Sequence, residues 1–141
     1  MRSLILALGL LVAMPLAAAA NDLGPREAYA RAAEDGLLIV DIRQPDEWRE
    51  TGVVPGAERI SLRHPQGEAG LLAAFEALRA QEPERPIALI CRTGNRSARL
   101  LSHLESHGFT QIYNVREGML GGDDGPGWIA RDLPVEPCRA C

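Results

Sequence analysis

Apolar positions are spaced along this chain in two ways. Leu37 to Ile42 is an apolar run broken only by Asp41, and Ile87 to Ile90 is a second one. Runs of this length without a polar face suit strands covered on both sides. Ile112 to Val115 predicts a third strand, and Ile60 and Leu62 alternate with polar neighbours as in a short strand. Between these runs the spacing becomes helical. Pro25 opens a helix that carries Ala28, Tyr29, Ala32 and Ala33 and ends at Asp35 before Gly36. Asp46 to Glu50 reads as a helical turn, and Gly52 to Ala57 as a loop. Leu71, Phe75 and Leu78 form a helical stripe ended by Pro83 and Pro86, and Ser97 to His107 turns Leu100, Leu101 and Leu104 inward before Gly108 and Phe109. After Glu117, Gly118, Gly121, Gly122, Gly125 and Gly127 allow only loop and a short helix, with Trp128 and Ile129 packing back. Strands alternating with helices predict an α/β fold, a mainly parallel sheet flanked by helices on both faces and built from right-handed β-α-β units.

The N-terminus has a different pattern. Arg2, the apolar stretch Leu4 to Met14, Pro15 and the small residues Ala17 to Ala20 have the order of a cleavable secretory signal over residues 1–20. Its apolar part is about half of the roughly 20 residues that span a bilayer, and no later stretch is longer. The expectation is a periplasmic or secreted protein starting at Asn21 or Ala20, with a single domain over residues 21–137 and a tail at residues 138–141. Stable membrane association is not expected. The formal net charge is −4 at pH 7, and loss of Arg2 makes it more negative, so nucleic acid is not an expected partner. All the basic residues are arginines, which carries no functional weight.

Three cysteines in an oxidising compartment leave at least one unpaired. Cys138 and Cys141 lie at the C-terminus in a C-x-x-C spacing. They are expected to form a tail disulfide, the alternative being a redox pair that acts on Cys91. Cys91 itself follows an apolar strand and precedes a helix, the place where parallel sheets gather functional groups. Cys91-Arg92-Thr93-Gly94-Asn95-Arg96 can curl into a cradle of backbone N–H groups, since Gly94 and Asn95 tolerate positive φ. The following helix N-terminus and Arg92, Arg96 and Arg99 would favour a thiolate there. A buried structural cysteine is the plainer reading, but it does not explain why arginines flank the thiol. His103 and His107 stand one helical turn apart, but no third ligand is evident in the sequence. They are read as cations that suit a helix C-terminus, and no metal is expected. His64 is read as loop surface.

The segment Cys91-Arg92-Thr93-Gly94-Asn95-Arg96-Ser97 resembles the active-site loop of the rhodanese family. Two further stretches match. Asp41-Ile42-Arg43 with Glu47-Trp48 and Gly52 through Pro55-Gly56-Ala57 resembles the family's upstream motif. Gly108-Phe109, Tyr113-Asn114-Val115 and Glu117-Gly118-Met119 with Trp128 resembles the downstream one. Together they cover nearly all of residues 37–135. Val53 departs from the histidine common at its position, and Arg116-Glu117 from a leucine-glycine. The resemblance implies five strands and a cysteine that carries sulfane sulfur as a persulfide.

For that chemistry, Cys91 is the expected catalytic residue, and Arg92, Thr93, Gly94, Asn95, Arg96 and Ser97 are the expected substrate-binding loop. Arg92 and Arg96 would hold the donor's oxyanion, and Asp41, Arg43 and Glu47 would give structural support, Arg43 and Glu47 as an ion pair. The expected partners are a small anionic sulfur donor such as thiosulfate and a thiol or cyanide acceptor, with a periplasmic protein as a further candidate acceptor. Neither a metal nor an organic cofactor is required. Two alternatives stand beside this reading. A cysteine phosphatase of related fold needs an arginine six positions after its nucleophile, where this chain has Ser97. A non-catalytic rhodanese-like binding module often lacks the cysteine that this chain keeps.

Overall fold

The computed structural model describes residues 20–141. In chain order its elements are β1 (Asp22–Leu23), α1 (Pro25–Glu34), β2 (Leu38–Asp41), α2 (Pro45–Thr51), β3 (Glu58–Arg59), α3 (Gly67–Gln81), β4 (Ile87–Ile90), α4 (Asn95–Ser106), β5 (Ile112–Val115) and α5 (Gly127–Ala130). The expected signal segment falls on residues 1–20 and so lies, apart from Ala20, outside the described residues. Among the described residues no helix is long and apolar enough to cross a membrane.

The strands form one five-stranded sheet in the order β1-β5-β4-β2-β3, and every pairing is parallel. The three apolar runs become its three inner strands, which explains why they have no polar face. Successive side chains point to opposite sides of a strand, and here both sides are covered. Val40, Ile42, Leu89 and Cys91 pack under Leu71 and Phe75 of α3 and Leu100 and Leu104 of α4. Ile39, Ala88, Ile90 and Val115 pack on the other face with Ala28 of α1 and Trp128 of α5.

The two edge strands depart from the expectation drawn from the apolar pattern. β1 has only two residues and lies N-terminal to the first predicted helix. The Asn114 and Arg116 N–H groups donate to the carbonyls of Asn21 (2.8 Å) and Leu23 (3.1 Å), holding it against β5. A strand held by backbone bonds over so short a span leaves no periodicity to read. β3 lies at Glu58–Arg59, just before the alternating Ile60 and Leu62. Their N–H groups still donate to Asp41 and Ile42, at 3.1 and 3.0 Å, so the extended path runs on alongside β2.

Candidate active site

Cys91 leaves the C-terminal end of β4, the middle strand of the sheet. From β2 the chain moves outward to β3, and from β4 outward to β5 on the other side, so the loops after β2 and β4 diverge. A crevice opens between such loops in parallel sheets. Cys91 sits in it fully buried and is the free cysteine among the described residues.

The loop folds around its sulfur. The Gly94 N–H donates to Sγ at 3.1 Å, the Ser97 N–H approaches at 3.4 Å, and the Ser97 hydroxyl lies 3.2 Å away. That hydroxyl also lies 3.1 Å from the Gly94 carbonyl, and with one proton it can serve only one of the two at a time. A negative sulfur draws the proton toward itself. The loop reverses at Gly94, whose φ is +91° and whose missing side chain leaves room for the Arg116 carbonyl. α4 therefore starts at Asn95, two residues before the predicted Ser97, and brings the first-turn Ser97 N–H to the sulfur.

The supporting residues pair differently from the expectation. The Glu47 carboxylate does not pair with Arg43, whose Nη1 meets Glu47 only at its backbone carbonyl, at 3.3 Å. It forms a two-pronged bridge with Arg96, Nη1 to Oε2 at 2.9 Å and Nη2 to Oε1 at 2.6 Å, and accepts the Gln44 N–H at 3.0 Å. The cause is its position in the first turn of α2, where its carboxylate folds back over the helix N-terminus and meets the neighbouring loop. Arg96 lowers the proton affinity of Glu47 first and the Gln44 N–H adds to this, with burial opposing; the same bridge raises the Arg96 pKa. Arg43 turns inward instead. It donates to Asp41 (Nε to Oδ1 3.0 Å, Nη2 to Oδ2 2.7 Å), to the Gly52 carbonyl (2.9 Å) and to the Thr51 hydroxyl (2.7 Å). Both partners of this pair are buried, so it ties the end of β2 to the C-terminus of α2.

The bridge also changes the reading of Arg96. Both of its terminal nitrogens bond to Glu47, so the charge of Arg96 is paired and its side chain braces the loop, with one N–H of each terminal nitrogen left over. Arg92 is exposed and Thr93 half-buried, while Asn95 is exposed at the start of α4. Among the described residues Arg92 has no ion-pair partner.

The sequence reading missed a second brace. The Met119 and Leu120 N–H groups donate to the carbonyls of Cys91 and Arg92, each at 2.9 Å. Gly118 lies so close to the Arg92–Thr93 peptide that a Cβ there would collide with it. The buried Glu117 closes the segment, accepting from Arg131 (Nε and Nη2, both 2.7 Å) and from the Gly127 N–H (3.0 Å). Arg131 is the larger cause, and the Gly127 N–H a further one, of a carboxyl held below its ordinary pKa against the effect of burial. A charged residue two positions after a buried strand was the signal available in the sequence, because such a charge requires a partner if it is buried.

The remaining candidates make no hydrogen bond to the Cys91 sulfur among the described residues. Cys138 and Cys141 are disulfide-bonded, with the Arg59 guanidinium 2.8 Å from the Cys138 sulfur. The tail before them is tied to Val53 by reciprocal backbone bonds from Glu136, each 2.9 Å. His64 is half-buried rather than on the surface, and its Nδ1 accepts the Gln66 N–H at 3.2 Å.

Known proteins resemble this chain in sequence and in fold. A crystal structure of Rv0390 from M. tuberculosis superposes with a TM-score of 0.67 at 26% identity, covering 86% of this chain and all of that one. A protein named "Sulfurtransferase" from Allochromatium vinosum is 25% identical over 118 residues, 82% of this chain and 94% of its own length. Thiosulfate sulfurtransferase GlpE of Pseudomonas fluorescens is 27% identical over 96 residues, 67% of this chain and 77% of its own. The family model for the rhodanese-like domain matches residues 24–122, the stretch that holds four of the five strands and the Cys91 loop, and the chain belongs to that family.

Proposed function

We propose that this protein is a sulfurtransferase that moves sulfane sulfur through a persulfide on Cys91. The observation that carries the reading is the cradle itself, in which two backbone N–H groups and one hydroxyl converge on Sγ within 3.4 Å. Donors so placed stabilise negative charge on sulfur, first on the attacking thiolate and then on the persulfide. With thiosulfate as donor, the Cys91 thiolate attacks the outer sulfur. A Cys–S–S bond forms, the bond to the sulfonyl sulfur breaks, and its electron pair leaves with sulfite. Cyanide or a thiolate then attacks the outer sulfur of the persulfide, leaving as thiocyanate or a new persulfide and restoring the Cys91 thiolate. Charge balances in both steps without a redox cofactor or metal.

Arg92 supplies the free charge at the loop for an anionic donor. The full burial of Cys91 favours small sulfur species over bulky ones. Phosphatase chemistry is less well supported, because the position that would need an arginine holds Ser97, with its hydroxyl on Sγ. The test is the mass of the intact protein after incubation with thiosulfate. Wild type should gain one sulfur atom on the Cys91 peptide and lose it to cyanide with release of thiocyanate. Cys91→Ser should fold normally and do neither, whereas equal thiocyanate production by the two proteins would reject the carrier role.

We further propose that the chain is exported, acting in the periplasm or outside the cell on a small donor and a thiol, cyanide or protein acceptor. N-terminal sequencing of the exported chain should start at Asn21 or Ala20, and a retained Met1 would reject export by cleavage.

A further inference from the structure

The sequence offers His103 and His107 one turn apart but no third ligand for a metal. The fold brings one from another helix. Glu68, in the first turn of α3, reaches the end of α4, and its carboxylate lies with both imidazoles so that one ligand atom from each falls within 4.8 Å of the others. We propose that Glu68, His103 and His107 form a binding site for a divalent transition-metal ion, separate from the Cys91 cradle.

Three features of the geometry support the site. First, Nε2 of His103 stands 3.1 Å from Glu68 Oε1, close to the roughly 3.3 Å that separates two ligands of a tetrahedral ion at 2.0 Å bond lengths. Second, although that pair is close enough for charge attraction, the same nitrogen is buried as an atom and lacks an aligned hydrogen-bond partner among the described residues. A nitrogen near a carboxylate but not bonded to it suits a lone pair directed at an ion between them. Third, Nδ1 of His107 lies 2.9 Å from the His103 carbonyl. When Nδ1–H donates to that carbonyl, Nε2 is fixed as the ligating nitrogen. The second bond of a ligating histidine orients its ring in this way.

Two imidazoles and one carboxylate suit zinc, and nickel or copper on the general affinity order, and three protein ligands leave a fourth position open. Glu68 and His103 also line a cavity of about 450 Å³ shared with Arg96 and Arg99. An ion held there stands at the edge of that cavity, and its open position takes water or an anion. The ordinary alternative is a surface ion pair between Glu68 and a protonated His103, which needs neither His107 nor a metal.

The probe is cobalt(II), titrated into metal-free mature protein with the Cys138–Cys141 disulfide intact and followed by visible absorption. Wild type should bind one ion per chain, with d–d bands of low coordination number and no sulfur-to-cobalt charge-transfer band in the near ultraviolet. Glu68→Gln and His107→Ala alter exposed side chains, and each should lower the affinity at least tenfold. Zinc should raise the melting temperature of wild type but not of the variants. Absence of saturable binding at one ion per chain would overturn the site. So would variants that bind as tightly as wild type, or a charge-transfer band showing that a cysteine holds the ion.

Discussion

The Cys91 loop is held from two sides by different means. On the side of α2 the contact is between side chains: Glu47 reaches from the first turn of α2 and Arg96 from the first turn of α4, and both remain partly exposed. On the side after β5 the contact is mostly backbone, through the Met119 and Leu120 N–H groups and the close approach of Gly118, with the buried Glu117 locking the segment from behind. A side-chain bridge can be weakened without displacing the main chain. A backbone clamp cannot, because its partners are the peptide groups that shape the loop. The first side is therefore expected to adjust the site, and the second to build it.

Gly118→Ala should show the difference most strongly. Gly118 has φ +63° and no space toward the Arg92–Thr93 peptide, so a methyl group both strains the backbone and pushes the loop away. The expected cost is about 2–4 kcal/mol of stability, with sulfur transfer falling to background. Arg96→Ala should retain the fold and lose about ten- to a hundredfold in thiosulfate turnover, the equivalent of one charge-assisted hydrogen-bonded pair. The double variant Glu47→Gln with Arg96→Ala sharpens this comparison. If Arg96 acts by bracing the loop and neutralising Glu47, removing the orphaned carboxylate recovers part of the activity. A double variant as poor as Arg96→Ala alone would return Arg96 to direct donor binding. Melting curves and steady-state rates on the same preparations separate the two sides.

This asymmetry also marks what could be read from the amino-acid sequence. The inner strands were legible because burial on both faces favours short, mainly apolar runs, with Asp41 and Asn114 as the buried polar exceptions. Cys91 and Gly94 were legible because a strand-to-helix turn curled around a thiol needs a residue that tolerates positive φ, and Ser97 was legible through the likeness of its loop to the rhodanese family's. Asp41, Arg43 and Glu47 were legible as a group but not in their pairing. Which carboxylate meets which guanidinium depends on how two loops lie across the crevice, and the chosen pairing, Arg43 with Glu47, was not the one formed. The Glu117–Arg131 pair was missed because its partners are joined only through a glycine-rich turn without periodicity. Glu68 was missed as a companion of His103 for a similar reason, since helix-to-helix packing has no local signature.

A smaller effect separates the two sides in acid. Glu47 and Glu117 are both held below the ordinary glutamate value of about 4.5, so each binds protons less readily in the folded chain than in the unfolded one. Such groups contribute stability that is fully present above the unfolded value and is lost as the pH falls through the folded one. The melting temperature of wild type should thus decline below about pH 4.5. Glu117→Gln should start lower at neutral pH, on the order of 5 °C, and decline less steeply in acid. Glu47→Gln should flatten the same decline with a smaller loss at neutral pH, since its bridge is more exposed. Parallel slopes for Glu117→Gln and wild type would show that folding does not hold this carboxyl below its ordinary value.

The smallest effect belongs to the tail, which touches the α2 side without bracing the loop. Its contacts are Arg49 to the Cys141 carbonyl, Arg59 to the Cys138 sulfur, and the backbone pairing of Glu136 with Val53. Truncation after Glu136 keeps the last of these and removes the first two together with the disulfide. That disulfide spans a sequence separation of only three residues, so it constrains the unfolded chain little compared with a bridge closing a long loop. α2 keeps its own anchors, the buried Trp48 and the bonds of Arg43 to Thr51 and Gly52, so Glu47 stays in place to meet Arg96. Thiosulfate turnover with cyanide should then remain within about twofold of wild type, and the melting temperature should fall by only a few degrees. A loss as large as that of Arg96→Ala would mean that Cys138 and Cys141 take part in the sulfur chemistry, by reducing or accepting the Cys91 persulfide. Restoration of turnover by an added dithiol would then distinguish a chemical contribution of the pair from a loosened α2.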